Sequence, residues 1–89
     1  MTLNFPNPSR SFDAERKRVL FWGYDSVIEV SFSVEAAALR KLCPEMDGTE
    51  AGILKAFDDA CKRIYLMAGR VYGRDRKGSF AYNLTAEDF

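Results

Sequence analysis

Residues 49–72 repeat apolar side chains at helical spacing over six turns, and this constrains the fold more than any other feature of the chain. Stepping about 100° per residue places Ile53, Leu54, Ala56, Phe57, Ala60, Cys61, Ile64, Tyr65, Met67, Ala68, Val71 and Tyr72 on about half of the helix circumference. Lys55, Asp58, Asp59, Lys62, Arg63 and Arg70 occupy the other half, interrupted only by Leu66. Thr49 is placed to cap the helix, Glu50 favours the positive end of its dipole, and Gly73 ends it. The spacing predicts one long helix. A stripe this wide needs more than one neighbour, which points to a sheet and a second helix.

The sheet is expected upstream. Residues 19–24 and 27–32 are β-branched and aromatic runs separated by Asp25 and Ser26, a hairpin pattern. With Asp25–Ser26 as a two-residue loop, Tyr24 faces Val27, Trp22 faces Glu29 and Leu20 faces Ser31. That sorting sends Val19, Phe21, Ile28, Val30 and Phe32 to the core and Leu20, Trp22 and Tyr24 outward. A short first strand over 9–13 and a polar turn over 14–17 precede the hairpin. Pro6 and Pro8 make residues 1–9 an extended arm anchored by Leu3 or Phe5. Ser33 is placed to cap a short helix that carries Leu39 and Leu42 inward and stops before Pro44. A last strand over 79–84 alternates Phe80, Tyr82 and Leu84 against Ala81 and Asn83, and 85–89 forms a capped turn ending on Phe89.

The expected fold class is therefore α+β: an antiparallel β-meander of three to four strands packed against one short and one long helix, in the order β-β-β-α-α-β. At 89 residues there is room for one domain spanning 1–89, which buries only about 60 to 65% of its unfolded surface. Thirteen basic and thirteen acidic residues give no net charge, which removes a whole-molecule attraction to nucleic acid or anionic membrane. The first residues lack a basic region followed by an apolar stretch, and no run is long enough to span a bilayer. A cytoplasmic protein is expected.

The sequence excludes several chemistries. It contains no histidine, which removes Ser-His and Cys-His pairs, histidine metal sites and the commonest general base. Asp58 and Asp59 are neighbours on a helix and point about 100° apart, so they do not form a carboxylate pair. Cys43 and Cys61 have no metal-knuckle spacing and read as small core residues. The segment 73–79 superficially looks like a phosphate loop, but Lys77 precedes its glycine and the segment leaves a helix instead of entering one. No catalytic, metal or cofactor residue is assigned, and a non-enzymatic chain is expected.

Two surfaces remain. Leu20, Trp22, Tyr24 and Val27, with Leu66 on the long helix, form the candidate interface for a homodimer or a protein partner, unless Phe5 or Phe89 covers the outer sheet face. Arg16, Lys17, Arg18, Arg70, Arg74, Arg76 and Lys77 form a candidate basic patch. Nucleic-acid binding through it is the alternative to protein association.

The opening Asn4-Phe5-Pro6, the run from Val19 to Gly23, the helix positions Phe57, Ile64, Ala68 and Tyr72, and the ending from Leu84 to Phe89 resemble the small bacterial proteins grouped as domain of unknown function 1488. The resemblance implies a bacterial, cytosolic, compact α+β domain with an antiparallel sheet on helices. It implies no activity and no catalytic residues.

Overall fold

The computed structural model describes residues 3–6, 10–74 and 81–89. Strands β1 (Leu3–Asn4), β2 (Arg10–Asp13), β3 (Arg18–Asp25) and β4 (Ile28–Glu35) lead into helices α1 (Ala36–Leu42), α2 (Glu50–Asp59) and α3 (Cys61–Arg74). Strand β5 (Ala81–Leu84) and a 3-10 turn (Ala86–Asp88) follow. The α+β class is as expected, with an antiparallel-dominated sheet and β-rich and helical segments in the expected sequence. Most of the 73–79 segment and the beginning of the last strand lie outside the described residues.

Alternation builds the central hairpin. Val19, Phe21 and Gly23 of β3 and Val30, Phe32 and Val34 of β4 are buried, whereas Leu20, Trp22 and Tyr24 are half-buried on the opposite face. The register differs from expectation by two residues: Tyr24 lies opposite Glu29, Trp22 opposite Ser31 and Leu20 opposite Ser33. Because side chains alternate with a period of two, this shift leaves Val19 to Tyr24 and Val30 to Phe32 on their expected faces, but Ile28, expected in the core, is 46% exposed at the hairpin end, where the sheet runs past the helices. The tight turn is Ser26–Val27, with Ser26 in the left-handed region at φ 60°. Asp25 stays in the strand, where its Oδ2 accepts a 2.7 Å hydrogen bond from the Tyr72 hydroxyl on α3 and its backbone lies opposite Leu3.

The N-terminal arm joins the sheet. β1 and β2 both pair antiparallel with the same edge of β3, Leu3 opposite Asp25 and Arg10 opposite Phe21. Between them Phe5 drops onto the inner layer. Its ring stacks on Tyr65 at 4.1 Å with a 2° interplanar angle and tilts against Phe21 and Phe32. Phe5 thus completes the core and does not cover the outer face. Gly23 makes this possible, because a Cβ there would sit 2.8 Å from Phe5 Cε1.

On the other side of β4, β5 pairs in parallel, Ser31 opposite Ala81 and Val34 opposite Leu84. The three helices form the crossover that parallel pairing requires. The antiparallel expectation holds for β1 to β4 and fails for this strand.

The predicted long helix is two helices. Ala60, at φ −104° and ψ 11°, closes α2, and α3 starts at Cys61. The two halves of the stripe meet different neighbours: α2 packs on α1 and β3, and α3 reaches β5. Arg10 ties β2 to the last turn of α2, its guanidinium donating from Nε and Nη2 to both oxygens of Asp58 at 2.9 Å. Thr49 caps α2 as expected, its Oγ1 accepting from the Gly52 amide at 3.0 Å. Asp47 supports it by accepting from the Thr49 amide at 2.9 Å and from its hydroxyl. Gly52 leaves room for this carboxylate, which a Cβ would displace.

Ser33 does not cap the short helix. It is a buried β4 residue, 5% exposed, and Glu35 occupies the N-cap position of α1. Extending β4 to Glu35 buries Val34 between Val19 and Leu84 and gives the Ser33 hydroxyl partners on both neighbouring strands.

Candidate interaction site

The inner face of the sheet is filled by Phe21, Phe32, Phe57, Ile64, Ala68 and Leu84. The outer face is built from the residues between them. In rows across the strands it presents Asn4, Tyr24 and Glu29; then Trp22, Ser31 and Ala81; then Ser11, Leu20, Ser33 and Asn83; then Asp13, Arg18 and Glu35. Leu20, Trp22 and Tyr24 therefore run down the middle of this face on β3. No helix among the described residues packs on them, and Trp22 has no aromatic partner among those residues. A shallow depression of about 150 Å³ beside Leu20 is lined by Arg18, Ser31, Ser33 and Ala81 among others.

One end of the face is held by a polar chain. Arg18 Nε donates to Asp13 Oδ2 at 3.1 Å and its Nη1 to Ser33 Oγ at 3.4 Å. Ser33 Oγ donates to Asn83 Oδ1 at 2.7 Å, and Asn83 Nδ2 donates to Glu35 Oε2 at 2.8 Å. The chain links β2, β3, β4 and β5. Backbone amides of Arg16 and Glu15 together with the Arg18 guanidinium hold the Asp13 carboxyl below the usual carboxylate range, against a smaller opposing effect of burial. At the hairpin end the Tyr24 hydroxyl donates to Glu29 Oε2 at 3.0 Å, and that bond, with the carboxylate charge, pushes the Tyr24 phenol up.

The structure divides the residues singled out in the sequence. Leu20, Trp22 and Tyr24 share the outer face. Val27 does not join them, because it stands in the hairpin turn and is 91% exposed. Leu66, 62% exposed, lies on the helical layer, where it lines a cleft with Arg63, Met67, Arg70, Asp88 and Phe89. Phe89 thus stands against α3 and not over Trp22. The basic residues are also split. Arg16 and Lys17 are exposed in the β2–β3 turn and Arg18 is engaged on the outer face. Arg70 and Arg74 are on α3, with Arg74 paired to Asp88 at 3.5 Å. Arg76 and Lys77 lie outside the described residues.

Sequence reasoning assigned neither Asn83 nor Arg63 to a candidate site. Alternation along 79–84 already put Asn83 outward, and the i, i+7 spacing of Arg63 and Arg70 around Leu66 was visible. Neither cysteine forms a disulfide. Among the described residues no three potential ligands group to hold a metal ion, and no helix is long and apolar enough to cross a membrane.

The fold and this face define a small two-layer α+β domain with helices on one side of its sheet and a mixed apolar and polar surface on the other. The chain belongs to the family described as protein of unknown function, DUF1488, whose family model matches residues 3–81. The match spans β1 to the start of β5 and stops short of the ending from Leu84 to Phe89 that contributed to the resemblance. No curated protein and no solved structure matches the chain.

Proposed function

We propose that this protein is a non-enzymatic, cytoplasmic association module that pairs with a second copy of itself through the outer sheet face. The observation that carries this reading is the row of Leu20, Trp22 and Tyr24 along the middle strand of that face. An apolar centre ringed by polar groups is the usual anatomy of a protein interface, and a buried tryptophan is its commonest energetic anchor.

The two ends of the face differ in charge, but only the hairpin end is one-sided. The β2–β3 turn exposes Arg16 and Lys17 at one end of β3, and Glu29 is exposed at the hairpin end. Glu15 stands exposed beside Arg16 and Lys17, and Asp13 and Glu35 flank Arg18, so that end is balanced in charge and a twofold contact about Trp22 and Ser31 rests on the apolar row. The depression beside Leu20 gives the facing copy a place to seat a side chain.

Nucleic-acid binding is the weaker reading. It needs segments 16–18 and 70–77 to act as one patch, whereas Arg18 belongs to the sheet's outer face and Arg70 to the helical layer. Sedimentation of the wild type and Trp22→Glu at low and high salt tests the proposal. A dimeric wild type that persists at high salt and is made monomeric by the substitution with unchanged circular dichroism supports it. A wild type that stays monomeric across the concentration range overturns it.

A further inference from the structure

The side of α3 turned away from the sheet carries a second surface. Ile64, Ala68, Val71 and Tyr72 are buried toward the core. Arg63, Leu66 and Arg70 lie on the outer side of the helix, and Met67 lies between them and the core. The C-terminal segment folds back along that side, so that Asp88 and Phe89 close a cleft of about 350 Å³ over these four residues. Its apolar strip is formed by Leu66, which is 62% exposed, and the half-buried Met67 and Phe89.

The charges around this strip are unbalanced. Arg63 and Arg70 stand about 10 Å apart along the helix axis, one on either side of Leu66. Neither has a carboxylate partner among the described residues. The carboxylate lining the cleft, Asp88, is already engaged: Oδ1 lies 3.5 Å from Arg74 Nη2, and Oδ2 accepts from the Thr85 amide at 2.8 Å. The cleft therefore presents cation, apolar strip, cation, with its own acidic group neutralised. A complementary ligand has an apolar side chain flanked by carboxylates at helical spacing. A nucleic acid would satisfy the arginines but would bring a polar backbone against Leu66 and Met67.

We propose that this cleft docks an acidic amphipathic helix of a partner protein, with an apolar side chain on Leu66, Met67 and Phe89 and carboxylates on Arg63 and Arg70. The site lies on the layer opposite Trp22, so both contacts can be occupied at once and each can fail alone. The test titrates the full chain with a labelled synthetic helix carrying leucines on one face and glutamates beside them, read by anisotropy and by heteronuclear NMR. Saturable, salt-sensitive binding is expected, with amide shifts at α3 and 86–89. Arg63→Glu with Arg70→Glu, and separately Leu66→Ser, weaken it about tenfold or more. These side chains lie on the outside of α3; if Leu66→Ser does not fold, Leu66→Ala serves with a smaller expected loss. No saturable binding, binding indifferent to these substitutions, shifts centred on β3, or displacement by a single-stranded oligonucleotide at lower concentration would each overturn the proposal.

Discussion

Phe5 and Gly23 touch in a way that only this pair of residues permits: a Cβ on residue 23 would lie 2.8 Å from Phe5 Cε1 and 3.1 Å from Cδ1 and Cζ. The bare backbone of β3 is the floor on which the ring lies, with Tyr65 stacked on it. Gly23→Ala is expected to destabilise the protein by about 1–3 kcal/mol through overpacking. Phe5→Ala is expected to cost about 2–4 kcal/mol, less than a fully buried ring because Phe5 is only half-buried. Denaturant titration of both single variants and the double variant checks the contact. In the Phe5→Ala background the alanine at 23 should cost markedly less than in the wild type.

The hydroxyl of Ser33 joins β3 to β5 through Arg18 and Asn83. Ser33→Ala is expected to lower stability by about 1–2 kcal/mol, since the buried end of the chain loses its central donor and acceptor. Asn83→Ala should cost less, because Asn83 is exposed and water can replace it. Equal losses for the two variants would contradict the placement of Ser33.

Arg10 grips Asp58 with two parallel bonds, but the side chains are 33% and 51% exposed. A double-mutant cycle of Arg10→Ala and Asp58→Ala should therefore give a coupling of only about 0.5–1 kcal/mol, falling with salt. A coupling of zero at low salt would mean that β2 and α2 are held together by packing alone.

Stability should depend on pH at both extremes. Asp13, held down by the Arg16 and Glu15 amides and Arg18, and Asp47, held down by the Thr49 hydroxyl and amide, have folded pKa values below their unfolded ones. Their contribution is complete above the unfolded value of about 4 and is lost as pH falls through the folded one. Asp13→Asn and Asp47→Asn should flatten the acid limb of stability against pH. The Tyr65 phenol is shifted the other way: burial, then its hydrogen bond with Cys61, pushes it up to about 12. Its contribution is complete below the unfolded value of about 10 and is lost between there and about pH 12. Tyr65→Phe keeps the stack on Phe5 and should remove one late-titrating tyrosine from the ultraviolet titration.

The inner and outer faces of the hairpin were legible because alternation alone decides them. Val19, Phe21, Val30 and Phe32 went to the core despite a misplaced turn. The turn itself was not legible, because Asp25 is kept in β3 by Tyr72, 47 residues away. Ser33 followed by valine and glutamate reads locally as a helix cap, and it is pairing with Leu20 on one side and Asn83 on the other that makes it a strand residue. No proline or glycine marks the end of α2 at Ala60. The two helices meet different neighbours, and nothing within 49–72 announces the break. On the outer face Leu20, Trp22 and Tyr24 were readable from period two, while Leu66 required the C-terminal segment to show which surface it serves.

The parallel pairing of β5 with β4 also governs how the molecule is assembled. Ser33 and Asn83 are separated by 50 residues, so β4 keeps an unpaired edge until a distant segment arrives. Contacts of such long range slow folding relative to a hairpin meander of the same size. The hairpin and its outer face can form early, whereas docking of β5 is a late event. A chain interrupted before residue 81 would present the open edge of β4 to any neighbouring strand, making aggregation of incomplete chains the characteristic hazard of this topology.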